Sequence, residues 1–180
     1  MVSHIPDMIA SGVSALKIEG RMKGIHYVAS AVKVYREAID AWYHDPNAYE
    51  VKGHWRAELT AISHRGYGTG FYFEDPHQTA SNLDNLVHPG RRFVAQVEGP
   101  GAGGGAKVLV KNKIIAGDRV EVLSPGVPAW EEVIRKITDH YGTPQRLAQP
   151  GSNVTVYTDT PLKRMDLIRS SMEAVAKDPT

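Results

Sequence analysis

The chain has 180 residues, of which 42% are apolar and 23% charged, a balance that fits one globular domain or two small ones and excludes a wholly disordered polymer. With 21 Lys and Arg against 20 Asp and Glu, the net charge of +1 excludes a uniformly basic nucleic-acid glove, although a local basic patch is still allowed. Cysteine is absent, which excludes disulfides, thiolate zinc sites, cysteine-held iron–sulfur clusters and a cysteine nucleophile within this chain.

In chain order, residues 5–12 predict a short helix, with Pro6 in its first turn and Gly12 as its stop. Residues 13–18 read as a strand, and residues 19–23 as the turn that follows it. A long helix is predicted from Ile25, because Val28, Val32, Tyr35, Ile39 and Trp42 recur at helical spacing. Pro46 disfavours helical geometry at Asp45 and ends it.

One strand between two helices has no sheet to join, so its backbone donors and acceptors lack partners. The expectation is that residues 1–45 are the end of a larger parallel α/β domain whose earlier part precedes them. Packing of the same segment onto the second half as an ordinary α+β element is the other reading.

A further helix is expected from Trp55 to Ser63, inside a linker over residues 46–90. Three glycines among aromatics at residues 64–73 suggest an ordered loop, since flexible linkers rarely carry rings so densely. From residue 91 the period becomes two. Residues 92–98, 107–111, 118–123, 132–138 and 154–157 are predicted strands, and a short helix is expected over residues 162–175. The expected fold class is therefore α+β: a strand–helix unit, then a linker, then a small antiparallel β-barrel over 91–180.

The glycines at 99, 101 and 104 spell G-x-G-x-x-G, but a β-patterned run follows them where a dinucleotide site needs a helix N-terminus. They read as a hairpin loop. The eight histidines show no metal-binding helical spacing, and no metal site is expected. No apolar run approaches the roughly 20 residues that span a membrane, so a cytoplasmic protein with no membrane partner is expected.

Two stretches carry candidate chemistry. Glu19, Arg21 and Lys23 offer one acceptor and two cations in a turn after a predicted strand, suited to holding an anionic group or, alternatively, to an internal ion pair that orients the turn. His64, Arg65, Tyr67 and Thr69 combine a cation, a hydroxyl and stacking surfaces, which serves either RNA contact or a packed hinge.

The same stretches carry a family resemblance. Residues 10–23, with KIEGRMK at 17–23, then Tyr27, Val28, Ala29, Tyr35 and Arg36, resemble the end of the core domain of the collagenase-like peptidase family U-32. Residues 63–72, SHRGYGTGFY, resemble the motif that follows that domain, and the strand-rich region from residue 91 resembles the family's C-terminal domain.

The resemblance implies peptidases of unknown mechanism on a modified (βα)8 barrel, or proteins that support prephenate-dependent hydroxylation of tRNA wobble uridine, hydroxylation of ribosomal RNA, or hydroxylation of ubiquinone precursors. On that reading residues 1–45 are the terminal strand–helix unit of an incomplete TIM-like barrel. The family's cysteine-bearing signature lies upstream, so an iron–sulfur cluster or metal, where the whole protein uses one, is held there and not by this chain. The expectation is a C-terminal part that is inactive as an enzyme alone. Its expected partners are the upstream part of its own barrel, RNA (tRNA or rRNA), and a second copy through the exposed helix.

Overall fold

The computed structural model describes residues 1–64, 66–70, 72–73 and 90–171, which divide into two units at Pro89 and Gly90. In the first unit a 3-10 turn (Val2–His4) leads into α1 (Ile5–Ala10), where Pro6 occupies the first turn and its missing N–H costs no helical bond. Gly12, at φ +80°, carries the chain out of the helix.

The long helix α2 (Ile25–His44) buries Ser30, Ala31, Val34 and Ala38 along one stripe. Asp45 is extended, as the proline after it requires, and its side chain accepts from the amides of Asn47 and Ala48. The third helix, α3 (Gly53–Thr60), starts and ends earlier than the expected 55–63. It packs on α2: Trp55 and Leu59 join Val2, Ile5, Val34 and Ala38 in one core, so residues expected to act as linker contribute to that core. Ser30 donates to the Glu58 carboxylate at 2.5 Å within the same interface.

Residues 13–18 are not a strand. They join no sheet, Ser14 lies in a bend, and among the described residues the backbone of 13–19 makes no main-chain hydrogen bond. A strand is defined by a neighbour, and among the described residues this run has none.

The second unit is built from β1 (Phe93–Pro100), β2 (Ala106–Val110), β3 (Ile114–Ile115), β4 (Arg119–Leu123), β5 (Trp130–Val133), β6 (Lys136–Thr138), β7 (Pro144–Gln145), β8 (Leu147–Ala148), β9 (Asn153–Tyr157) and β10 (Leu167–Ser170). Eight of these form a curled antiparallel half-barrel in the order β5-β4-β10-β1-β2-β9-β6-β7, while β3 pairs with β8. Val97, Val108, Val110, Ile137, Val156 and Ile168 alternate with outward residues and fill the interior.

The predicted strand 132–138 bends midway. Ile134 donates to the Asp118 carbonyl oxygen at 3.0 Å, and Arg135 donates to that of Tyr157 at 2.8 Å, so one run serves both β4 and β9.

The expected helix over 162–175 is a correction. Its described part contains β10, which lies between β1 and β4 with all four residues buried. Its Arg169, 1% exposed, reaches the Glu121 carboxylate on β4 at 2.8 Å, and Arg91 meets the other oxygen of that carboxylate at 2.8 Å. The remainder of that range, 172–175, lies outside the described residues.

The glycine-rich run between β1 and β2 is a hairpin loop folded over β9. A Cβ on Gly105 would stand 2.5 Å from Thr155 Cγ2, and one on Gly101 2.6 Å from the same atom. Among the described residues, no helix is long and apolar enough to cross a membrane.

Candidate functional site

Both motif stretches reach one cavity of about 640 Å³ in the first unit, a volume suited to a small organic molecule. Glu19 and Lys17 come to it from the first stretch and Tyr67 from the second. Most of the remaining wall is aromatic and apolar, with Tyr27 and Tyr35 from α2, Tyr72 and Phe73 from the second loop, and Leu16 and Ile18 from the unpaired run, while Asp7 and Ser11 add polar groups.

The first turn is shaped locally. Glu19 accepts the Arg21 amide at 2.9 Å, and Lys23 donates its amide to the Gly20 carbonyl oxygen at 2.9 Å. Gly20 lets this turn lie on α2, since a Cβ there would stand 3.1 Å from Val28 Cγ2. Arg21 and Lys23 are exposed and do not line the cavity among its described residues; the Lys23 ammonium lies 5.2 Å from the Tyr27 ring centroid instead. Glu19 therefore orders the turn through a backbone amide, while Arg21 and Lys23 are exposed, Lys23 over the Tyr27 ring.

In the second loop the His64 and Tyr67 rings lie 4.5 Å apart, and Gly66 donates to His64 Nδ1 at 3.1 Å. The Tyr67 phenol donates to the Leu59 carbonyl oxygen. Burial pushes this phenol up to about 12, with the Tyr27 and Tyr35 phenols adding to the shift. Tyr35 is likewise raised, by burial and then by Tyr27. The Thr69 hydroxyl is buried without a partner among the described residues, and Arg65 lies outside them.

The polar lining of the cavity is a set of phenols, the carboxylates of Asp7 and Glu19, and the Lys17 ammonium. Its serine, Ser11, donates to the Met8 carbonyl oxygen at 2.7 Å, while His4 pairs with Asp7 at 3.0 Å and stacks on Phe73. No serine–histidine relay is formed by these contacts. Among the described residues no three His, Asp or Glu side chains gather as a metal-holding group. With no cysteine in the chain, a cysteine-ligated cluster does not fit these residues.

Sequence reasoning singled out Glu19 and Tyr67 but did not join them, and it did not identify the aromatic walls. The available signal was the spacing of Tyr27 and Tyr35, eight residues apart and hence on one face of a helix.

A model of peptidase family U32 matches residues 1–82, and a model of the U32 C-terminal domain matches residues 89–169. The chain belongs to peptidase family U32. The two matches follow the division into two units.

Among U32 relatives, tRNA hydroxylation protein P1 of Bacillus subtilis is 45% identical over 76 residues, 42% of this chain and 18% of that protein. The tRNA hydroxylation protein P of Escherichia coli is 34% identical over 130 residues, 69% of this chain and 27% of that protein. A collagenase of Porphyromonas gingivalis is 35% identical over 71 residues, 39% of this chain and 17% of that protein. The chain thus spans about a sixth to just over a quarter of the length of these relatives. A crystal structure of the C-terminal domain of a U32 protein from Geobacillus thermoleovorans is similar at 30% identity and a TM-score of 0.40, covering 44% of this chain and 91% of that one.

The second unit also presents cations. Residues 90–171 hold 12 Lys and Arg against 8 Asp and Glu. Lys107, Lys111, Lys113 and Lys136 are exposed, whereas Arg91 is drawn into the ion pair with Glu121.

Proposed function

We propose that this chain works in tRNA hydroxylation as the RNA-holding, non-hydrolytic part of a longer U32 protein. The observation that carries the reading is the extent of its matches. The tRNA hydroxylation proteins P of Haemophilus influenzae and Escherichia coli align over 128 and 130 residues, more than the 82 of the first family match and so into the second unit, whereas tRNA hydroxylation protein P1 aligns over 76 and the collagenase over 71. The excess of cations on the second unit supports the same reading, because phosphate contacts dominate RNA affinity. The phenol-lined cavity supports a binding role rather than hydrolysis.

Within this reading, residues 13–18 and α2 close a TIM-like barrel whose other strands belong to the longer protein. Support comes from the backbone of that run, which is unpaired among the described residues.

Filter binding of tRNA to the purified 180-residue chain across a salt series tests the proposal. Retention that falls along a log–log line with salt is the expected result. No retention at low salt overturns it, as does peptide hydrolysis by the chain that a Glu19→Gln substitution abolishes.

A further inference from the structure

We infer that the loop between β6 and β7 is a rigid stacking platform for an unpaired RNA base, with Tyr141 as its contact ring. The inference rests on the RNA-holding role proposed above and assigns it a particular contact and a particular form of RNA.

Tyr141 is 82% exposed, a position in which a large ring gains nothing from the protein's own core. Its ring centroid lies 3.7 Å from that of His140, so the two exposed rings support each other. The loop beneath them is held from within. Asp139 Oδ1 accepts the amides of Tyr141 and Thr143, each at 2.9 Å, and Oδ2 accepts Gln145 Nε2 at 3.0 Å. Asp139 also donates its own amide to the Thr143 carbonyl oxygen at 3.0 Å, and Gly142 supplies the φ of +85° that the tight reversal requires.

An exposed aromatic on a mobile loop would lose much of its contact energy to ordering. Here that ordering is already in place, which is the condition under which stacking adds to affinity.

Cations flank the platform by register. Lys107 on β2 faces Thr155 on β9, and Thr155 faces Thr138 at the foot of the loop, a row crossing three strands. Lys136 begins β6 and lies over the Tyr157 ring at 5.2 Å, while Arg146 follows β7 and is exposed. A base on Tyr141 would therefore leave its neighbouring phosphates near positive charge. The bases of an A-form duplex are stacked on one another and cannot offer a face, so the platform selects single-stranded loops or ends.

The test uses the full 180-residue chain and an RNA hairpin with 2-aminopurine in its loop, beside a control hairpin carrying it in the stem. The loop probe is expected to be quenched on binding and the stem probe unaffected. Tyr141→Ala should weaken loop binding roughly 5- to 150-fold with an unchanged salt slope, and Tyr141→Phe should retain the affinity. Lys107→Ala should flatten the slope by about 0.7, the share of one phosphate on a single strand. Tyr141→Ala binding the loop RNA as tightly as the unsubstituted chain overturns the platform and leaves the RNA-holding role intact. Failure of the unsubstituted chain to bind either RNA overturns that role itself.

Discussion

The phenol of Tyr67 donates to the main-chain carbonyl oxygen of Leu59, tying the loop after α3 back onto that helix. Burial favours the neutral phenol and pushes its pKa up to about 12. The folded value exceeds the unfolded value of about 10, so this contribution to stability is complete below pH 10 and is lost as pH rises toward 12. Ultraviolet titration of phenolate should show one tyrosine ionising near 12. Tyr67→Phe should abolish that step, cost about 1 kcal/mol at neutral pH, and flatten the alkaline fall in the unfolding midpoint. An unchanged alkaline profile in the variant would contradict the assignment.

Glu37 couples α2 to α3 in a similar way. One carboxylate oxygen accepts Lys33 Nζ at 2.6 Å, and the other accepts Trp55 Nε1 at 2.9 Å with His54 Nε2 at 3.3 Å. Burial raises its pKa, but the hydrogen bonds from Lys33 and Trp55 and the Lys33 charge outweigh that and hold it below the usual carboxylate range. The lowered folded value means the stabilisation is present above the unfolded pKa and is lost as pH falls through the folded one. Glu37→Ala leaves the Trp55 indole N–H without its acceptor and should cost about 1–3 kcal/mol at pH 7, with a smaller difference from the parent chain at pH 3. Thermal denaturation followed by circular dichroism at both pH values measures this; equal losses at both would remove the carboxylate from the account.

The ends of α2 were legible because apolar residues at helical spacing and Pro46 after them place both ends within two residues, but its buried face was not: Val28 and Val32 of the stripe read from the sequence are exposed, and Ser30, Ala31, Val34 and Ala38 are the buried residues. The run at 13–18 has strand composition, yet strand structure needs a neighbour that composition cannot report. The tail was misread for the opposite reason. Leu167, Ile168, Arg169 and Ser170 are buried on both faces of the sheet, so no period of two marks them. Arg169 in particular looks like a surface residue until Glu121, 48 positions away, is placed beside it. The site was legible as two strings and not as one cavity, because the phenols of Tyr27, Tyr35 and Tyr67 meet only after α2 and α3 pack.

The glycine loop over β9 gives a sharper test of packing. A Cβ on Gly105 would meet Thr155 Cγ2 at 2.5 Å and the Val156 carbonyl oxygen at 2.9 Å, whereas one on Gly104 would meet nothing within 4 Å. Gly105→Ala should therefore destabilise the second unit by about 1–3 kcal/mol through overpacking. Gly104→Ala should cost about 1 kcal/mol, from its φ of +80° alone. Combining Gly105→Ala with Thr155→Ser removes the closer clash but not the carbonyl one, and should recover part of the loss. Urea denaturation of the three variants ranks them; Gly104→Ala proving the worst would mean that backbone conformation, not the approach to β9, constrains this loop.

The unpaired run leaves a signature in exchange and in association. Amides of residues 15–19 have no main-chain acceptor among the described residues, and they lie beside a face of α2 on which Val28 and Val32 are 38% and 46% exposed. These amides should exchange with solvent far faster than those at the centre of β1, whose ladder bonds open only with the sheet. Unpaired backbone next to exposed valines also favours association between copies. Light scattering of the purified chain should then show dimers that grow with concentration, and Val32→Lys should return it to monomer with the helical signal unchanged. Slow exchange across 15–19 in a strictly monomeric sample would mean that this run already has a partner within the chain, and the barrel-completing role proposed for it would fall.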